Sequence, residues 1–232
     1  MTFGPESDNL PIWSPDGLHV LFPSNRTGSF NLYLKASSGV GQEKVLVKLG
    51  TQTGWATDWS DDGHFIIFQI PGDKTGQDLW IAPQSDDKEP YPYLDTEFNE
   101  QDGRFSPDGK CIAYSSNESG HSEIYVRPFP DVDGGKWQIS TGGGTEPYWN
   151  KNGTELFYIA SDRTLMSVPV KLDPIFEKKD LPQPIMLIPE SAGRNSYAVS
   201  ENGNQFLVAK RVGEQAMQPI TILVNWQSDL KK

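Results

Sequence analysis

Phe105-Ser106-Pro107-Asp108-Gly109 decides the fold, because nearly the same five residues stand at Trp13-Ser14-Pro15-Asp16-Gly17 and at Trp59-Ser60-Asp61-Asp62-Gly63. Two weaker copies follow, Trp149-Asn150-Lys151-Asn152-Gly153 and Val199-Ser200-Glu201-Asn202-Gly203. Their glycines, at 17, 63, 109, 153 and 203, are spaced by 46, 46, 44 and 50 residues. Such a period marks a repeat architecture, and ~40–50 residues is the length of one four-stranded propeller blade. The phrase itself has turn chemistry. Asp-Gly or Asn-Gly supplies a left-handed glycine and a side-chain acceptor for turn amides, and Pro presets φ at the first turn position. Its recurrence in every unit argues against catalysis by its serine and carboxylate, since an active site is normally built once.

The neighbours of the phrase also recur. An apolar alternating run follows each copy: His19-Val20-Leu21-Phe22, Phe65-Ile66-Ile67-Phe68, Cys111-Ile112-Ala113-Tyr114, Leu156-Phe157-Tyr158-Ile159 and Gln205-Phe206-Leu207-Val208. These predict strands. A polar turn then leads to a third strand, marked by Leu32-Tyr33, Leu79-Trp80, Ile124-Tyr125 and Leu165-Met166, and a fourth is visible at Lys44–Val47, Tyr91–Leu94, Lys136–Ile139 and Pro184–Ile188. The chain therefore reads as all-β, a propeller of four-stranded antiparallel blades in one domain over 1–232. Its five repeats cover about 8–50, 51–97, 98–143, 144–190 and 191–232. The 36% hydrophobic and 11% aromatic content suits a real core, and the 22 glycines and 18 prolines suit many turns.

The phrase, with its following [IL]-x-[FY] run and later Leu-Tyr or Leu-Trp pair, resembles the TolB-like, WD-type β-propeller repeat of bacteria over about residues 8 to 224. The resemblance implies a scaffold. Related propellers serve as interaction modules, as sensor domains attached to bacterial Ser/Thr kinases, as gating domains of peptidases and as occasional lyases. Pro219 to Trp226, followed by Leu230-Lys231-Lys232, is similar to the end of the kinase-attached and stand-alone versions. A periplasmic or extracellular location, and a place within a larger bacterial protein, follow from the resemblance alone.

The fifth unit departs from the rest: after Gln205–Lys210 and Ile220–Val224 the sequence offers no fourth strand. Only Met1–Ser7 precede the first inner strand, and Pro5 limits ladder pairing there. Either a compact five-blade ring forms, or the array is a partial propeller whose open blade edge pairs with a second copy as a homodimer.

Residues that break the repeat near the central channel are the candidates for function. Three positions before the phrase aromatic, the units carry Leu10, Ala56, Asp102, Glu146 and Ser196, so two carboxylates on neighbouring blades face one region. Arg104, Tyr148 and Arg194 lie near them in sequence, with Asn195, and the non-recurring Trp55 stands at the entry to its blade. A cation, sugar or peptide amine suits such a ring; solvated or mutually paired channel residues are the plainer reading. The favoured function is a non-catalytic module that binds protein or peptide. The alternative is a propeller enzyme using Asp102 and Glu146 on a carbohydrate.

Other classes lack support. A net charge of −11 with no basic stripe argues against nucleic acid, and no apolar window approaches the ~18 residues needed for membrane insertion by a helix. Met1 to Pro5 have neither the basic nor the apolar region of a signal peptide. His19, His64 and His121 occupy three different blade positions and do not converge on a metal; no cofactor is expected. No Gly-x-Ser-x-Gly elbow or kinase loop occurs. Cys111, the single cysteine, lies in an apolar run and reads as a buried thiol. The segment Lys171 to Pro184, the longest irregular connection, reads as a surface loop or a partner contact.

Overall fold

In a computed structural model the described residues are 10–210 except 75, 86, 191–194 and 202. They form nineteen strands. The first blade holds β1 (Ile12–Trp13), β2 (His19–Ser24), β3 (Asn31–Ala36) and β4 (Lys44–Lys48); the second holds β5 (Trp55–Trp59), β6 (Phe65–Pro71), β7 (Gln77–Pro83) and β8 (Tyr91–Leu94). The third comprises β9 (Glu100–Phe105), β10 (Cys111–Ser116), β11 (Glu123–Pro128) and β12 (Trp137–Gln138). The fourth comprises β13 (Thr145–Trp149), β14 (Glu155–Ile159), β15 (Thr164–Lys171), β16 (Glu177–Lys178) and β17 (Gln183–Leu187). Of the fifth unit, β18 (Tyr197–Val199) and β19 (Phe206–Val208) are described. Within each sheet consecutive strands pair antiparallel, so the architecture is a β-propeller of four-stranded blades. The expected strand Ile220–Val224 lies outside the described residues.

The phrase is a turn in atomic detail. Ser106 Oγ donates to Asp108 Oδ1 at 2.6 Å and accepts the Cys111 amide at 2.9 Å, while Asp108 Oδ1 accepts the Lys110 amide and the Gly109 amide closes onto Ser106 O. The first and second blades repeat this network at Ser14/Asp16 and Ser60/Asp62. The serine hydroxyls hold the Asp16 and Asp62 carboxyls below the usual range. In the fourth blade Asn150 does both jobs, its Oδ1 accepting the amides of Thr154 and Glu155. Every phrase glycine has φ between 67° and 77°, the left-handed region that a Cβ disfavours. Serine and carboxylate are thus consumed by their own turn.

The aromatic that opens the phrase has a different task. Trp59 packs into the core between blades one and two, Phe105 into that between two and three, and Trp149 into that between three and four. Each thus seats its blade on the preceding one. A fourth core joins Phe157, Ile159 and Leu165 of blade four to Tyr197 of the fifth unit. Burying such rings contributes about 1.5–3 kcal/mol each. Cys111 is a buried free thiol in the core between blades three and four, its pKa pushed up to about 12 by burial. Its chemistry is packing.

The Lys171 to Pro184 segment is not merely a surface loop. Phe176 is buried and meets Trp137 and Trp149 at ring-centroid distances of 5.1 and 6.0 Å, and Lys178 Nζ donates to Ile139 O of blade three at 3.1 Å. β16 and β17 both pair with β15, so the outer edge of blade four is split into two pieces. Apolar periodicity does not reveal a lone plug residue among three prolines.

Candidate functional site

The inner strands carry an irregularity that shapes the channel. Leu10, Asp102, Glu146 and Asn195 are non-glycine residues with φ of 43°, 56°, 53° and 60°. Strain of this kind persists only where surroundings over-determine it. In blades three and four the ladder slips beside these residues, between Gln101 and Arg104 and between Thr145 and Tyr148. The slips open polar groups that neighbouring blades take up: the Asp102 amide donates to Gln69 Oε1 at 3.0 Å, and Thr57 Oγ1 donates to Gly103 O at 2.8 Å. Gly103 has no alternative, because a Cβ there would stand 2.4 Å from Ile67 Cδ1. In the fifth unit the left-handed residue is Asn195, one position earlier than the equivalence with Ser196 predicts.

This placement divides the expected site residues. Asp102, Arg104, Glu146 and Tyr148 share the lining of a space of about 10 Å³, with Asn195 and Tyr197. Trp55 lines a second space of about 20 Å³ with Asp102, Arg104, Leu10 and Asn195. Each has room for about one water. Arg194 lies outside the described residues. Glu146 is spent on structure: Oε2 accepts the Ser196 amide at 2.6 Å, Oε1 accepts Ser196 Oγ at 2.8 Å, and its backbone oxygen accepts Tyr197 Oη. Burial raises its pKa against those hydrogen bonds. The carboxylate thus clamps the fifth unit to the fourth.

The roomy part of the channel is its mouth on the side of the phrase turns, a cavity of about 230 Å³. Two sequence registers build it. The residue immediately before the phrase aromatic gives Asp58, Arg104 and Tyr148 in consecutive blades, and the third residue of the phrase gives Asp61, Pro107, Lys151 and Glu201. Asp58, Asp61, Lys151 and Glu201 join the lining from positions that the reading three places before the aromatic does not sample: one place before it and two places after it. The position one before the aromatic, where the units carry Ile12, Asp58, Arg104, Tyr148 and Ala198, finds Asp58, and the third residue of the phrase, otherwise read as turn, holds Asp61, Lys151 and Glu201.

Arg104 is the centre of the arrangement and borders all three spaces. Its guanidinium carbon lies 5.5 Å from the Tyr148 ring centroid, Nη1 is 3.7 Å from Asp58 Oδ1, and Nη2 donates to Asn195 Oδ1 at 3.4 Å. These are long contacts for a fork of five donors. Asp58 Oδ2 accepts the Phe105 amide at 2.9 Å. Lys151 and Glu201 pair at 3.5 Å on the exposed rim. The mouth thus presents a positioned guanidinium on an aromatic face, ringed by carboxylates.

Burial pushes the Asp58 carboxyl up to about 6, overriding the opposing pull of Arg104 and of the Phe105 amide. An unfolded Asp titrates near 3.9, so between roughly pH 4 and 6 the folded chain binds more protons. The contribution of this group to stability is full below that window and falls as pH rises through it. Asp58→Asn keeps an acceptor for the Phe105 amide and removes the titration. From pH 4.5 to 7.5 the urea midpoint should therefore fall less, or rise more, in the variant than in the parent; an equal change in the two would refute this assignment.

No protein family and no curated protein matches the sequence. Solved structures do. TolB from Acinetobacter baumannii superposes with a TM-score of 0.69 at 16% identity, covering 90% of this chain and 50% of that one, so the chain spans half the length of that relative. The β-propeller domain of Myceliophteria thermophila Cps50 (Swd1) gives a TM-score of 0.54 at 12% identity, covering 89% and 81% of the two chains. An oligogalacturonate lyase in complex with manganese gives 0.54 at 11% identity, covering 86% and 69%. At these identities the likeness is one of fold: a TolB-like propeller scaffold, shared by proteins of different activities.

Proposed function

We propose that this chain is a non-catalytic propeller module that takes a protein or peptide segment at the mouth of its channel, as part of a larger bacterial protein. One observation supports the reading: among the described residues, two spaces that border Arg104 behind the 230 Å³ mouth are of about 10 and 20 Å³. Pockets that enclose a drug-sized ligand run to roughly 300–1,000 Å³. A mouth of this size suits one side chain of a longer segment lying across the turns, with the rest of the segment outside. Arg104 then supplies planar donors to its carbonyl or carboxylate groups, and Asp61 and Glu201 face amides or basic side chains at the rim. The carbohydrate-enzyme reading needs Asp102 and Glu146 as a reactive pair, and both oxygens of Glu146 are engaged by Ser196.

The test is a peptide selected from a displayed library against the whole chain, with affinity read by fluorescence anisotropy. Arg104→Gln should weaken binding about tenfold, equivalent to ~1.4 kcal/mol, and Arg104→Lys should not restore it, because an ammonium lacks the planar fork. Unchanged affinity in Arg104→Gln, or measurable turnover on a glycan panel, would contradict the proposal.

A further inference from the structure

In blades one and three the residue before Leu32 and Ile124 holds the connection that leaves the blade, and blade two breaks the rule. Asn31 Oδ1 accepts the Leu49 amide at 3.0 Å, and Glu123 Oε1 accepts the Gly143 amide at 3.0 Å. The blade-two residue, before Leu79, is Asp78, 5% exposed, whose Oδ1 meets no donor among the described residues. Gly72 closes over it, since a Cβ there would stand 2.5 Å from that oxygen. Five places before the phrase aromatic, the junctions on either side carry Gly54 and Gly144, where a Cβ would lie 2.5 Å from Gln69 O and from Ser140 Oγ respectively. At that place blade three carries Glu100, 2% exposed. Its Oε1 accepts Thr96 Oγ1 at 2.6 Å, while Oε2 is buried without a donor. The junction of blades two and three thus sets two buried carboxylates where its neighbours set an acceptor and an amide. Burial pushes Asp78 up to about 6, with the charges of Asp95 and Asp73 adding and Lys74 opposing. Glu100 is raised by burial and by the charges of Asp78 and Glu118, against its hydrogen bonds from Thr96 and Ser116. Lys74 pairs with Asp95 at 3.9 Å and Lys136 with Glu118 at 2.8 Å, so neither ammonium is committed to the buried pair. Among the described residues no third carboxylate, histidine or cysteine completes a metal-binding group with them.

We propose that this junction is a proton-operated latch: Asp78 and Glu100 hold it shut while they carry protons, and ionisation of the pair loosens it. A carboxyl that keeps its proton is a donor as well as an acceptor. A buried carboxylate without a donor is costly, and two of them repel. Unfolded Asp and Glu titrate at about 3.9 and 4.3. Both shifts are upward, so the folded chain binds more protons; the stabilisation is full below about pH 4 and is lost as pH rises through about 6. β9 opens on Glu100 and also carries Arg104, so the latch sets how firmly the strand beneath the mouth is held. Asp58 titrates in the same window at the other end of the junction, where it accepts the Phe105 amide, and the two ends have separate reporters.

Amide hydrogen exchange of the whole chain at pH 5 and 7.5, corrected for the intrinsic rate, reads the latch. The Phe98 and Asp102 amides, which flank Glu100 and donate to Thr96 Oγ1 and Gln69 Oε1, should lose protection about tenfold at the higher pH. The Leu49 amide, held by the uncharged Asn31, should not. Asp78→Asn combined with Glu100→Gln should abolish the change at Phe98 and Asp102 and leave that at Phe105, which Asp58→Asn removes instead. Asparagine already stands at this position in blade one, and glutamine keeps an acceptor for Thr96. If the double variant does not fold, the contrast between Leu49 and Phe98 in the parent decides. Equal loss at Leu49, Phe98 and Asp102, no loss at Phe98, or a double variant that keeps the parent's change overturns the proposal. So does restored protection at pH 7.5 on adding calcium chloride, which would make a cation the occupant in place of a proton.

Discussion

Replacing Trp149 with alanine is expected to lower the unfolding free energy by about 3–5 kcal/mol, the range for a buried aromatic cut back to Cβ. The indole sits where blades three and four meet, among Ala113, Ile124, Val126 and Val168, and its ring stands edge-on to Phe176. Its Nε1 also donates to Arg104 O at 3.2 Å, so truncation opens a cavity and strands an acceptor of the inner strand. Because blades make contact chiefly with their neighbours, the loss falls on one junction of the array. Domains are stable by only about 5–15 kcal/mol, and urea denaturation should show a large fall in midpoint. A loss under about 1 kcal/mol would mean that the phrase aromatic is not what seats one blade on the next.

Glu123→Ala should cost about 3 kcal/mol for a different reason. This carboxylate, 1% exposed at the start of β11, accepts the Gly143 amide at 3.0 Å through Oε1, which also lies 2.7 Å from His121 Nε2, and accepts Ser140 Oγ through Oε2. Ser140 Oγ in turn accepts the Ile124 amide, so one side chain organises the approach to blade four. Alanine leaves the buried Gly143 and Ser140 donors unmatched, at about 1–3 kcal/mol each. Glu123→Gln keeps one acceptor and should lose roughly half as much. Hydrogen exchange supplies the local readout, with the Gly143 amide expected to lose protection in Glu123→Ala; retained protection would show that another acceptor replaces the carboxylate.

The fold was legible because its mark is local. A serine, an aspartate and a glycine within five residues make the same turn in three blades, and an asparagine imitates it in the fourth. Sequence spacing also picked out Arg104 and Tyr148, which line the mouth, together with Glu146, which does not. The difference lies in register. A left-handed residue and a ladder slip reorient the inner strand, so the carboxylate three places before the aromatic is drawn into a junction, as Glu146 is. The residue one place before the aromatic comes to line the mouth, as Asp58 does. Such a slip leaves no trace in hydrophobic alternation, because the bonds that compensate it come from other blades: Gln69 to Asp102 and Ser196 to Glu146. Phe176 was missed for a related reason, being a plug that no repeat predicts.

On the proposed function, the recurring phrase is scaffold and a peptide binds where the repeat is broken around Arg104. The most direct measurement is nitrogen-15 resonance spectroscopy of side chains during titration with a selected peptide. The Arg104 Nε signal and the neighbouring Trp149 indole signal should shift most, saturating together. Shifts confined to the outer strands β4, β8, β12 and β17, with Arg104 and Trp149 unmoved, would contradict it.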